Sequence, residues 1–203
     1  MIVVDVETTG LESVKHSIVS IGALDFLEPI NQFYKECRIW EGAEIDDYAL
    51  GINGFSRADV VDANKSSLDE TIRSFLFWVG NIPSGHDITL AGENPKFDSN
   101  FLESSAKRYN LAWPFSHRTV DLHTISYAYR ASRGIEIPLN KARCSNLKQD
   151  ETLKYVGLLD EPMPHNALTG AKGEAEAFSR LMFGRSLLPE YTRFKIPPYL
   201  IKL

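Results

Sequence analysis

IVVDVETTG, residues 2–10, places two acidic residues at the end of an apolar, largely β-branched run. Such a run is typical of a strand that is buried on both faces. Side chains alternate along a strand, so Asp5 and Glu7 point to the same face. Two neighbouring carboxylates repel each other unless a cation binds between them, and oxygen ligands favour Mg²⁺ or Mn²⁺. We therefore expect a metal site at this strand end. An isolated Asp-x-Glu pair, by contrast, more often marks a solvated strand end without a metal.

The residues after this strand predict a turn that faces an anion. Thr8, Thr9 and Gly10 offer hydroxyls and backbone N–H groups beside the two carboxylates. We expect all three to contact a bound substrate.

Composition narrows the class of protein. A chain of 203 residues suits one domain with a full core. The formal net charge of −5 argues against coating nucleic acid by bulk electrostatics but allows an enzyme with a local basic groove. Cys37 and Cys144 lie far apart, as expected of reduced thiols in a cytoplasmic protein. We expect no signal peptide, no membrane span and no internal repeat.

The next segments predict a sheet with helices beside it. Residues 18–26 and 32–38 read as strands that continue the first one as an antiparallel meander. Residues 46–55 predict a loop or short helix, with Asn53-Gly54 as a turn. Ser67 and Glu70 form a capping box for an amphipathic helix that ends at Gly80. Residues 88–92 predict a further short strand.

A second acidic position follows that short strand. Asp98 lies in the first turn of a predicted helix, away from the apolar face that includes Phe101 and Leu102. A first-turn aspartate often serves only the helix dipole. Its place just past a strand end also suits a third metal ligand beside Asp5 and Glu7.

Residues 118–123 predict a strand that runs into a helix, with Asp121 as its N-cap and His123 in its first turn. Residues 131–145, with Arg130 before them, include Arg133, Lys141 and Arg143. This segment is either a basic loop beside a nucleic-acid groove or a solvated loop. Residues 146–156 predict a helix that ends at Gly157.

The last long helix follows Pro162-Met163-Pro164-His165 and should bury Leu168, Ala171, Ala175, Phe178 and Met182. Taken in order, three motifs resemble those of the DEDDh 3′–5′ exonucleases, the family of RNase T and the DNA polymerase III proofreading subunit. They are VVDVETTG, then Asn94-x-x-x-Asp98, then His165-Asn-Ala-Leu-Thr. The resemblance covers residues 1–183 and leaves 184–203 as a tail that packs on the domain or on a partner. It implies a ribonuclease H-like α/β fold, a central mixed five-stranded sheet flanked by helices.

The resemblance also implies a chemistry. Two Mg²⁺ or Mn²⁺ ions per site, held by Asp5, Glu7 and Asp98, would serve hydrolysis of phosphodiesters in single-stranded DNA, RNA or short oligonucleotides to 5′-mononucleotides. His165 would take a proton from the attacking water, and Asn94 would contact substrate. A homodimer or a protein partner is possible on this pattern.

Two positions depart from the family pattern. Glu93 stands where relatives often have His, and Gly170 stands where they have the last acidic ligand. Glu174, one turn further along the helix, could reach back to replace that ligand. Alternatively, the chain could bind nucleic acid without cutting it, or turn over slowly with fewer ligands. We expect Glu174 to replace the missing ligand, and Glu176 is a poorer candidate for that role.

Overall fold

The structure is a computed structural model and describes residues 1–201. Its sheet contains five strands in the order β3-β2-β1-β4-β5. β1 pairs antiparallel with β2 and parallel with β4, and β5 pairs parallel with β4. The mixed five-stranded sheet and the antiparallel meander of β1 to β3 are therefore confirmed. The strands are β1 (Ile2–Thr8), β2 (Ile18–Asp25), β3 (Gln32–Glu36), β4 (Leu90–Gly92) and β5 (Val120–Asp121).

Helices cover both faces of the sheet. One face packs on α3 and α4 through a core that includes Ile2, Val4 and Val6 of β1. The other packs on α5, α6 and α7 through a core that includes Val3. Because side chains alternate along β1, Asp5 and Glu7 share the face of Val3 and α7. The helices are α1 (Asp47–Asn53), α2 (Arg57–Val61), α3 (Leu68–Gly80), α4 (Pro95–Arg108), α5 (Leu122–Ala131), α6 (Gln149–Tyr155) and α7 (Ala167–Phe183).

Local sequence signals account for most helix starts. The capping box of Ser67 and Glu70 opens α3, and Asp121 caps α5 through the N–H groups of His123 and Thr124, both as predicted. Residues 47–53 form a helix, and Gly54 ends it in the left-handed region at φ 75°. The short helix α2, capped by Ser56 and Asp59, was not predicted. Leu168 is only half-buried, whereas its neighbour Ala167 is fully buried, so at the start of α7 the buried position lies one residue earlier than predicted.

The first turn of α7 lies directly on β2. A Cβ at Gly22 would come within 2.1 Å of the backbone carbon of Ala167, so only glycine permits this approach. Gly22 is the register partner of Asp5. The close contact therefore brings the start of α7 beside the acidic end of β1.

Arg180 of α7 joins the segment after residue 186 to the domain. Its guanidinium is fully buried and pairs with Glu176 at 2.7 Å. It also donates to the carbonyl oxygens of Tyr191 and Phe194 at 3.0 and 3.1 Å. The segment thus packs on α7 of its own chain. Within residues 1–201, no helix is long and apolar enough to cross a bilayer.

Candidate active site

The end of β1 carries two buried carboxylates. Glu7 is 8% exposed, and Asp5 is half-buried. Burial raises the pKa of Asp5 to about 7, with a further contribution from the nearby charge of Glu161. Burial, followed by the charges of Asp5 and Glu161, raises the pKa of Glu7 to about 8. The two side chains therefore form one strongly interacting pair, as the i, i+2 spacing predicts.

Asp98 joins this pair from the first turn of α4. The backbone N–H of Val6 donates to its Oδ1 at 3.0 Å, which fixes α4 against β1. Asp98 is 4% exposed, and burial together with the charge of Asp5 raises its pKa well above the ordinary value. Asn94 precedes α4 in the left-handed region, at φ 51° and ψ 50°. That turn swings the chain from β4 into α4 and points Asp98 at β1.

His165 reaches the same place from the segment before α7. Its backbone N–H donates to the carbonyl oxygen of Ile52 at 3.0 Å, which ties this segment to α1. The imidazole is 34% exposed, and its Nδ1 lies 3.6 Å from Oε2 of Glu161. Its charge acts on Asp5 and lowers the pKa of that carboxyl. The three predicted carboxylates and the predicted histidine thus come from three chain segments, β1, α4 and the residues before α7, and meet at one strand end.

Glu174 lies on the β4 side of this cluster. Burial raises its pKa well above the ordinary value, followed by the charges of Asp5, Asp98 and Glu93. Glu93, whose own pKa is raised to about 7 by burial and by Asp121, donates its backbone N–H to Glu174. Glu174 is therefore a member of the acidic cluster. Glu176, by contrast, is committed to Arg180 and to the tail.

Glu161 is the site residue that sequence reasoning missed. It lies in the irregular segment between α6 and α7, four residues before His165. One oxygen each of Glu7 and Glu161 and one nitrogen of His165 lie within 4.8 Å of one another. No periodicity marks Glu161. The available signal was the missing acidic residue at position 170, which calls for a search of every nearby carboxylate.

The residues predicted to contact substrate differ in burial and in hydrogen bonding. The hydroxyl of Thr9 is fully buried, donates to the carbonyl oxygen of Glu44 and accepts from the N–H of Ser17, so it holds the turn together. The hydroxyl of Thr8 donates to the carbonyl oxygen of Gly10. Asn94 is exposed at the rim of the site. Substrate binding by these residues stays a prediction.

The donor set fits hard divalent cations. Oε1 of Glu161 and Oε2 of Glu174 are buried without a hydrogen-bond partner within residues 1–201. Unpaired buried carboxylate oxygens are costly, and a cation bound among them removes that cost. Oxygen ligands with one imidazole suit Mg²⁺ or Mn²⁺.

Comparison with known proteins identifies the family. Residues 1–182 match the family described as 3′-5′ exoribonuclease Rv2179c-like domain. The DNA polymerase III PolC-type of Caldanaerobacter subterraneus subsp. tengcongensis is 25% identical over 182 residues, 89% of this chain but only 11% of that protein.

Solved structures show the same fold at low identity. The nuclease domain of 3′hExo, a DEDDh family member bound to rAMP, has a TM-score of 0.67 at 16% identity, covering 97% of this chain and 94% of that one. Cell-death related nuclease 4 has a TM-score of 0.71 at 14% identity, and the match covers 91% of this chain and 64% of that chain. E. coli exonuclease I, in complex with a 5cy-dT13 oligonucleotide, gives 0.69 at 17%, covering 91% of this chain and 40% of that one. This chain therefore belongs to the Rv2179c-like 3′–5′ exoribonuclease family, a group of DEDDh exonucleases with a ribonuclease H-like fold.

Proposed function

We propose that this protein is a metal-dependent 3′–5′ exonuclease that releases 5′-mononucleotides from single-stranded RNA. The observation that supports this most is the meeting of Asp5, Glu7, Asp98 and His165 at one strand end, from three separate segments. The family description favours RNA over DNA as the preferred substrate. One of the similar structures, the 3′hExo nuclease domain, is bound to rAMP, which is consistent with that preference.

The carboxylates would hold the cations. Asp5 lies at the centre of the cluster, because its charge acts on Glu7, Asp98 and Glu174 alike. Two bound Mg²⁺ or Mn²⁺ ions would supply activation of water and stabilisation of the charge that develops on the scissile phosphate and the leaving oxygen. The hydrogen bond from Val6 keeps Asp98 in place without help from a ligand.

His165 would serve as the proton acceptor. Its side chain is 34% exposed, so water and substrate can reach it. A histidine can accept a proton near neutral pH, as a general base requires. The hydrogen bond to Ile52 fixes the backbone from which the imidazole extends.

One exposed basic segment is the candidate for contacts with the nucleic-acid backbone. Arg133, Lys141 and Arg143 are exposed in the segment that follows α5. Arg130, which the sequence grouped with them, is buried, lies 4.0 Å from the ring centre of Tyr155 and donates to the carbonyl oxygen of Glu151. We therefore propose the three exposed residues, without Arg130, as phosphate contacts.

The test is a nuclease assay on 5′-labelled single-stranded RNA and DNA with Mn²⁺. We expect a ladder of products shortened from the 3′ end, faster on RNA, and none with EDTA. Asp98→Asn should abolish the ladder. Glu103→Gln, which removes one charge from the same helix where it pairs with Lys107, should leave it unchanged.

Wild-type activity in Asp98→Asn would contradict this proposal. Retained RNA binding without cleavage by the wild-type protein would instead select the alternative, a binding module on the same fold. Gly170 is the observation that keeps this alternative in view.

A further inference from the structure

The space beside Gly170 is already filled by Asp5. A Cβ at position 170 would lie 2.1 Å from Oδ2 of Asp5 and 3.1 Å from its Cγ, far inside van der Waals contact. The side chain of Asp5 therefore packs against the backbone of α7 at Gly170, which has no side chain. An aspartate at position 170 and Asp5 in its present position exclude each other.

The side chain of Glu161 also reaches the space beside Gly170. Its Oε1 would lie 3.2 Å from that Cβ, so Oε1 of Glu161 and Oδ2 of Asp5 are no more than 5.3 Å apart. The side chain of Glu161 is 6% exposed, and Oε1 has no hydrogen-bond partner among the described residues. A buried, unpaired oxygen this close to the carboxylate of Asp5 is positioned for a cation.

The rest of the Glu161 carboxylate is held in place by the protein. Oε2 accepts from Nε2 of Gln149 at 3.4 Å, and the backbone N–H of Asn166 also donates to this carboxylate. Gln149 begins α6 and Asn166 caps α7. Two helix ends thus orient Glu161 and leave Oε1 directed into the site.

We propose that Glu161 supplies the fourth acidic metal ligand. It replaces the acidic residue that family members have at the position of Gly170. This inference rests on the proposed function and adds the residue that completes its metal site. Glu161 binds on the side of Asp5 that faces Glu7 and His165. Gly170 is then the feature that gives Asp5 and Glu161 room, rather than a defect.

Glu174, the replacement expected from sequence, lies elsewhere. Its Oε2 would come within 3.1 Å of a Cβ at Gly92 in β4, and its charge acts on Asp98 and Glu93. None of its atoms is among the three heavy atoms nearest to a Cβ at Gly170, although it belongs to the same helix. Within residues 1–201 it forms no metal-ligand group with Glu7 and His165, whereas Glu161 does.

The test measures Mn²⁺ binding directly, by calorimetric titration of the apoprotein. Glu161→Gln keeps the shape of the side chain and removes its charge, so the affinity for Mn²⁺ should fall by at least about tenfold. A loss of that size is typical even when the substituted residue only hydrogen-bonds to a metal ligand. Asp160→Asn is the matched control, because its carboxylate, next in sequence, pairs with Lys154 instead. The control should bind Mn²⁺ as the wild-type protein does. Thermal unfolding of each apoprotein checks that both variants fold.

The outcomes separate this inference from the proposed function. Wild-type protein that neither binds Mn²⁺ nor cuts RNA overturns both. Wild-type protein that binds Mn²⁺ and cuts RNA, beside a Glu161→Gln variant of equal affinity, overturns the role of Glu161 alone. A parallel Glu174→Gln titration decides between the two glutamates: loss in Glu174→Gln with none in Glu161→Gln assigns the ligand to Glu174.

Discussion

Two glycines of α7 allow the contact between Gly170 and Asp5 to be tested against a matched control. Gly170→Ala adds one methyl group 2.1 Å from Oδ2 of Asp5, 1.3 Å short of the 3.4 Å at which ordinary contact begins. Gly173→Ala adds the same methyl group to the same helix, where its nearest neighbours are Leu153 at 3.8 Å and Tyr191 at 3.9 Å. Only the first substitution must therefore move a group of the active site.

The two variants should differ in activity and in stability. Either alanine removes the helix cost of glycine, a gain of up to about 1 kcal/mol in the free energy of unfolding. For Gly173→Ala that gain should raise Tm by about 2–4 °C with activity unchanged. In Gly170→Ala the carboxylate of Asp5 must shift by about 1 Å, and a displacement of that size costs on the order of 100-fold in rate.

The assay combines thermal unfolding with kcat/KM for a labelled single-stranded RNA in Mn²⁺, and with Mn²⁺ titration of each variant. Wild-type rate and affinity in Gly170→Ala would refute the reasoning, because Asp5 would then not depend on the bare backbone at position 170. A loss of similar size in Gly173→Ala would refute it as well, since the effect would then come from the helix as a whole.

The remaining predictions concern stability. In metal-free protein the unfolded state releases the protons of Asp5 and Glu7 at about pH 4, whereas the folded state keeps them up to a pKa of about 7 for Asp5 and about 8 for Glu7. The free energy of unfolding should therefore fall as pH rises between these values. Thermal unfolding from pH 5 to 8 measures this slope, which Glu7→Gln should flatten; a Tm that rises with pH would contradict it. Arg180→Met leaves Glu176 buried without its partner and should cost about 3–5 kcal/mol in urea unfolding. Arg57→Met, at an exposed pair, is its control, and equal midpoints for the two variants would count against a tail anchored by Arg180.

Most of the fold could be predicted from the sequence because the signals for its strands and helices are local. The β-branched run of β1, the capping box at Ser67 and the N-cap at Asp121 each determine their element within a few residues. The helix α2 escaped detection because five residues are too few for a periodic pattern.

The site was readable only in part. Asp5 and Glu7 lie within β1 and Asp98 lies in the first turn of the helix after β4, where the direction of the chain fixes their side chains. His165 precedes a long helix. Glu161 lies in an irregular segment, so its direction depends on contacts with Gln149 and Asn166 that no local pattern encodes. Glu174 lies in the acidic cluster, yet periodicity could not tell that the carboxylate of Glu161 already lies beside Gly170.

The contact between Gly22 and the first turn of α7 has a consequence for which substitutions this protein can tolerate. Gly22 takes no part in chemistry, yet any side chain there would act as a wedge between β2 and the backbone at Ala167. Because His165 immediately precedes that turn, the wedge would lift the imidazole away from the carboxylates of β1. The spacing between His165 and the acidic cluster is thus set by an absent methyl group in the neighbouring strand.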